Sequence, residues 1–196
     1  MGWLLHEKEF AMKKRMGILA TLLMVSATWS GAALAQDVDS SPKAHTATYI
    51  SADDIQANIS GAPTAATNPS PNVRVVNAGG YNVAVGVLHR PENPPGVAAV
   101  HHKVTEVYHV MDGAATLVTG GKIVNGKERP ADGREVRLED GPSASGPSIQ
   151  GGVSRLIKAG DVVIIPADTP HWFSSIDGSI TYVVVRFDPT RVLALK

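Results

Sequence analysis

The sequence predicts an all-β fold, a sandwich or closed barrel preceded by one short helix. Three observations carry that prediction. Nine short apolar runs lie between Val73 and Phe187, separated by turn residues. Tyr81, Val83, Val85 and Val87 alternate with smaller residues, the period of two expected of a half-buried strand. The chain carries 19 glycines and 13 prolines, and it shows neither a strand-helix-strand alternation nor an internal repeat.

The elements follow in chain order. Residues 1–35 read as an address. Lys13, Lys14 and Arg15 form a basic start, Met16 to Trp29 is apolar and small, and Ala33-Leu34-Ala35 is a small-x-small cleavage pattern. The apolar run falls short of the ~20 residues that cross a bilayer. A cleaved signal peptide is therefore expected ahead of an uncleaved anchor, with Met12 as an alternative initiator. The mature chain would start at Gln36, in a bacterial periplasm or outside the cell, with no stable membrane insertion after cleavage. Residues 36–72 form an arm. Ser51 is placed to cap a short helix whose first turn holds Asp53 and Asp54, with Ile55 and Ile59 on one face and an end before Gly61. Ala62 to Pro71 reads as a linker.

Strands are expected over Val73–Val76, Tyr81–Val87, Val97–His101 and Glu106–Met111, the last closed by an Asp112-Gly113 turn. Ala115–Thr119, Ser154–Lys158, Val162–Ile165, His171–Ser174 and Ile180–Phe187 complete the set, and 190–196 is left as a tail. Between them, 125–152 is rich in glycine and proline and reads as a long surface loop with room for a short hairpin of its own, a solvated insertion ahead of a lid or subunit contact.

Composition removes several functions. Eighteen basic and eighteen acidic residues leave a formal net charge of zero, and no basic stripe of the nucleic-acid-binding kind is present. Without cysteine there is no disulfide, thiolate ligand or thiol nucleophile, so a metal site would have to use imidazole, carboxylate or water.

Two segments carry the chemistry. The first is His101-His102-Lys103-Val104-Thr105-Glu106, followed six residues later by Gly113. The second runs from Gly160 through Pro166, Asp168 and His171 to Trp172-Phe173. Imidazole with carboxylate suits first-row divalent metals. On a strand, Glu106, Tyr108 and Val110 share one face, as do His171 and Phe173. If both faces point inward, Glu106 and His171 meet, and two histidines with one carboxylate leave open positions on a metal for substrate or dioxygen.

Together the segments resemble the paired motifs of the cupin superfamily: His-x-His, three or four residues, Glu, six residues, Gly; then Gly, five residues, Pro-x-Gly or Pro-x-Asp, two residues, His. The second motif matches at every spacing. The first departs at its start, where Ala99 or Val100 stands in place of a histidine. The resemblance covers 73–189 and implies a double-stranded β-helix, or jelly-roll barrel. It implies a divalent metal (iron, manganese, nickel or zinc) on His101, Glu106 and His171. His102 is an alternative ligand, and adjacent strand residues would need a backbone bend for both histidines to ligate. Tyr108 and His102 are the proton-transfer candidates. The resemblance further implies a small-molecule substrate and a homodimer. Its relatives include dioxygenases, lyases, isomerases and decarboxylases, so the expected function is a metal-dependent enzyme on a small oxygenated organic molecule. The alternative is a non-catalytic barrel that captures a small ligand, with the metal structural or absent.

Around these residues, His109 is expected on the outer face and His89 at a strand end. Tyr108, Phe173 and Tyr182 are candidates for pocket wall or core, and Trp172 for a place outside the pocket or at a dimer contact. Arg186 alternates with Tyr182 and Val184. Turned inward it would hold an acidic substrate; an exposed position is preferred, because buried arginines are rare.

Overall fold

A computed structural model describes residues 46–60, 72–92 and 96–196. The export signal, the start of the mature chain and the linker all fall outside the described residues. The helix α1 spans Ala52–Ser60. Its expected cap is formed reciprocally: the Asp54 amide donates to Ser51 Oγ at 3.0 Å, and the Ser51 amide donates to Asp54 Oδ2 at 3.1 Å.

Eleven strands follow among the described residues: β1 Asn72–Asn77, β2 Asn82–Pro91, β3 Ala98–His101, β4 Thr105–Thr119, β5 Lys122–Val124, β6 Lys127–Glu128, β7 Ser143–Gly146, β8 Ser148–Gln150, β9 Val153–Lys158, β10 Val162–Ile165 and β11 His171–Asp188. Every pairing is antiparallel. The order β1-β2-β11-β3-β7-β6 forms one path, and β4 joins it by pairing β11, β9 and β10. The all-β architecture expected from the alternation is present. The barrel interior holds Tyr108, Val110, Leu117, Ile157, Phe173, Ile180, Tyr182 and Val184.

Two expected breaks are absent. Asp112-Gly113 does not end a strand; β4 runs through it. Likewise β11 is continuous from His171 to Asp188 instead of two separate runs. The glycine serves as a bulge. Gly113 sits at φ +79°, opposite Ile180, where the β4–β11 register shifts. The shift changes which side chains face inward. Before Gly113 the buried residues are 106, 108 and 110; after it they are 115 and 117, with 118 buried as well. β11 makes the same change of parity, from 171 and 173 to 176, 180, 182, 184, 186 and 188, with Thr181 buried as well. Each long strand thereby serves two walls of the barrel.

The segment 125–152 is a further correction. It is not a solvated loop. β7 pairs with both β3 and β6, β8 pairs with β5, and a single π-helical turn spans Val136–Asp140. Its carbonyls and amides find ladder partners because β3 would otherwise present an open edge. Residues 190–196, expected as a tail, lie against β1. Lys196 and Val75 exchange backbone hydrogen bonds of 3.0 and 3.1 Å, and Leu193 is buried beside Val75 and Val104.

Candidate metal centre

His101 ends β3, Glu106 is near the start of β4, and His171 starts β11. The three side chains converge inside the barrel, and all are buried. Glu106 Oε2 lies 3.6 Å from His101 Nε2 and 3.4 Å from His171 Nε2. One donor atom from each residue falls within 4.8 Å of the others. Bonds of about 2.0–2.2 Å to nitrogen and oxygen place neighbouring donors of a tetrahedral or facial site roughly 3.0–3.5 Å apart. The two carboxylate–imidazole separations sit at or just beyond the upper end of that range. The donor set also has the imidazole and carboxylate chemistry of iron, manganese, nickel and zinc sites. The buried Nδ1 of His101, on the ring edge away from Glu106, has no hydrogen-bond partner among the described residues. The residues fit a metal ion.

Local backbone explains the aim of each ligand. The Asp168 amide donates to the His101 carbonyl at 2.8 Å, and the His102 amide donates to Pro142 at 2.8 Å. These bonds hold the chain at the end of β3. Asp168 itself adopts φ +61°, which is why a glycine or a short polar residue is required at this point of the second motif. His171 Nδ1 lies 3.1 Å from the Thr169 carbonyl. A carbonyl only accepts, so Nδ1 carries the proton and the Nε2 lone pair is left facing Glu106.

The electrostatics centre on Glu106. Burial pushes its carboxyl up, but Arg186, both histidines and the Tyr108 hydroxyl outweigh burial and bring it down to about 2. Arg186 Nε donates to Glu106 Oε1 at 2.8 Å, and Tyr108 donates to Oε2 at 2.8 Å. Burial, then the Glu106 charge, hold the Tyr108 hydroxyl well above its ordinary range. Burial also lowers His171, against the opposing pull of Glu106, and this favours the neutral imidazole that ligates.

His102 is the principal correction to the site. It faces away from the cluster, with Nδ1 2.7 Å from Asp168 Oδ1 and Nε2 3.2 Å from Glu128 Oε2. The backbone does bend after His101, the condition for both histidines to ligate, but the bend separates the two imidazoles. The hydrogen bond with Asp168, followed by the Glu128 charge, raises the His102 pKa. Arg186 is the second correction. It is buried, and besides Glu106 it donates to Asn72 Oδ1 at 2.6 Å and to Asp140 Oδ1 at 3.3 Å. Two carboxylates and an amide offset the cost of its burial. Trp172, expected outside, contributes to the cavity wall, and its Nε1 donates to the Gly96 carbonyl at 2.8 Å. His109 and His89 are exposed, and His89 Nδ1 is 2.8 Å from Thr181 Oγ1.

The cluster opens into a cavity of about 330 Å³. Tyr108, Phe173 and Tyr182 line it and also belong to the core. Five further charged residues at the cavity lay outside the sequence reading of the site: Arg90, Arg129, Glu135, Glu139 and Asp140. The last four come from the segment read as solvated, where no periodic pattern marks them.

No family model matches the chain, and no curated protein does. Solved structures do. A conserved protein with a double-stranded β-helix domain from Klebsiella pneumoniae aligns at 17% identity and TM-score 0.42, over 75% of this chain and 94% of that one. The DMSP lyase DddQ from Ruegeria pomeroyi aligns at 16% and 0.37, over 60% and 49%. FeII HppE aligns at 16% and 0.36, over 55% of this chain and 48% of that one, so the match spans about half of the latter's length. The fold is established by this chain's own strands. Its two motif segments lie on neighbouring antiparallel strands of one barrel, the arrangement that the cupin resemblance implies.

Proposed function

We propose that this chain is an exported metal-binding barrel that acts as an enzyme on a small oxygenated organic molecule. One observation carries the reading: Glu106 Oε2 lies between the Nε2 atoms of two buried histidines, at 3.6 and 3.4 Å. His101, Glu106 and His171 would hold a divalent ion. Such an ion supplies Lewis-acid polarisation of a substrate oxygen. The chain's own residues prepare the site for it. Thr169 fixes the tautomer of His171, Arg186 orients the Glu106 carboxylate through Oε1, and Tyr108 keeps its proton on the hydroxyl beside Oε2. Tyr108 is the proton-transfer candidate that adjoins the cluster. Leu88, Trp172 and Phe173 give the cavity an apolar wall suited to the carbon skeleton of a small substrate.

A second reading is favoured by the Arg186–Glu106 pair, which already neutralises the carboxylate. In that reading the barrel binds a small ligand without catalysis. Elemental analysis after incubation with iron, manganese, nickel and zinc tests the enzyme reading, since the binding reading takes a structural metal or none. The enzyme reading expects about one equivalent of metal, lost in Glu106→Gln. Protein that stays metal-free in all four incubations refutes the enzyme reading and leaves the binder.

Export belongs to the same proposal. It rests on the basic, apolar and small-x-small succession before Gln36. The homodimer rests on analogy with other cupin barrels.

A further inference from the structure

Three arginines reach the cavity, and they are not equivalent. Arg186 is held by Glu106 and Asp140, and Arg129 by Asp140. Arg90, at the end of β2, pairs with no carboxylate among the described residues. Its Nε donates to the Tyr182 hydroxyl at 2.9 Å, and its guanidinium carbon stands 6.0 Å from the centre of the Phe173 ring. A guanidinium has five N–H donors, and this contact uses one of them. The head group is pinned by a neutral hydroxyl and a ring face, and Asp140 acts on its charge only from beyond ion-pair distance. Beside it, Gly96 keeps space open: a Cβ there would come within 3.3 Å of Arg90 Nη1. Trp172 fastens Gly96 in that position through its carbonyl.

A half-buried, pre-oriented guanidinium with unused N–H donors and no direct ion pair is completed by an anion. We propose that Arg90 is the anion-binding residue of this cavity and that its ligand is a small organic carboxylate, taken edge-on by the terminal nitrogens. The inference deepens the small-molecule reading above and rests on it. A carboxylate fits better than a phosphate for two reasons. One free guanidinium matches one negative charge, and its planar fork matches a planar carboxylate. The surroundings are Leu88, Phe173 and Tyr182, which suit a carbon skeleton more than a heavily hydrated dianion. From Arg90 the path to the metal cluster runs over two packed rings. Tyr182 and Tyr108 have centroids 4.6 Å apart, and Tyr108 ends on Glu106. The cavity's 330 Å³ confines the ligand to a few carbons beyond its acid group.

Calorimetric titration of the metal-treated full chain tests this. The titrants are acetate, lactate and benzoate, each against its primary amide, with inorganic phosphate as a separate arm. At least one acid is expected to bind about tenfold or more tightly than its amide. Arg90→Gln should abolish that preference, and Arg90→Lys should restore part of it, because the charge returns without the fork. Thermal melts of both variants confirm folding, and the acid-against-amide comparison on the unmodified chain needs no variant. The proposal is overturned if no acid outbinds its amide, if Arg90→Gln keeps the preference, or if phosphate binds more tightly than every carboxylate. Metal content measured on the same samples keeps the two readings apart. Loaded protein that ignores carboxylates refutes the Arg90 assignment alone, whereas a carboxylate preference in metal-free protein refutes the metal reading alone.

Discussion

Glu106 keeps its charge in the barrel interior because a guanidinium and a phenol donate to it and two imidazoles stand beside it. That arrangement has a pH signature. The folded carboxyl titrates at about 2 against an ordinary value of 4.5, so the unfolded chain takes up the proton first. Its contribution is complete above about 4.5 and is lost as pH falls toward 2. His171 acts in the same direction at higher pH, because burial lowers it from its ordinary 6.5 and acid protonates the unfolded chain first. Urea denaturation of metal-free protein should therefore show stability declining below about pH 4.5, whereas near pH 6.5 the loss from His171 is opposed by His102, whose raised pKa works in the other direction. Glu106→Gln should flatten the lower limb; an unchanged limb would contradict the assignment. Arg186 shows what one residue's pattern conveys and omits. The period of two put it on the face of Tyr182 and Val184, which is where it lies. The expectation of exposure failed because its partners Asp140 and Asn72 come from stretches with no pattern linking them to it.

At the scale of elements, Asp-Gly is ambiguous in sequence. A left-handed glycine closes a hairpin or makes a bulge, and only the partner strand decides. Here the partner is Ile180, and a Cβ at Gly113 would lie 1.9 Å from the Ser179 carbonyl oxygen. Gly113→Ala combines that clash with an unfavourable φ and should destabilise the fold by about 2 kcal/mol or more, read from the denaturation midpoint. A neutral result would show that the bulge is not rigid. The second motif was legible element by element, since Gly160, Pro166 and Asp168 each mark a turn whose chemistry is local. The segment 125–152 was not, because its strands are short and their partners, β3 in particular, are remote.

For the whole molecule, the candidate ligands come from three strands that only the folded barrel brings together, so a metal binds the native state and not the unfolded chain. At a hundredfold excess over Kd this adds about 2.7 kcal/mol. For a domain of this size that is roughly 5–10 °C in Tm. Scanning fluorimetry with and without the metal found by elemental analysis should show that rise, reversed by a chelator and absent in Glu106→Gln. A rise of equal size in the variant would move the metal elsewhere.

The pairing of β4 with β11 along their full lengths also governs how the chain reaches this state. The pair nearest in sequence, Thr119 with His171, forms only after all of 120–170 has been looped out. Loop entropy is spent before any of that contact is gained, which places the barrel among slow, high-contact-order folders on the millisecond-to-second scale. Until that ribbon zips, the valine- and isoleucine-rich strand edges of a nascent chain stand open to self-association.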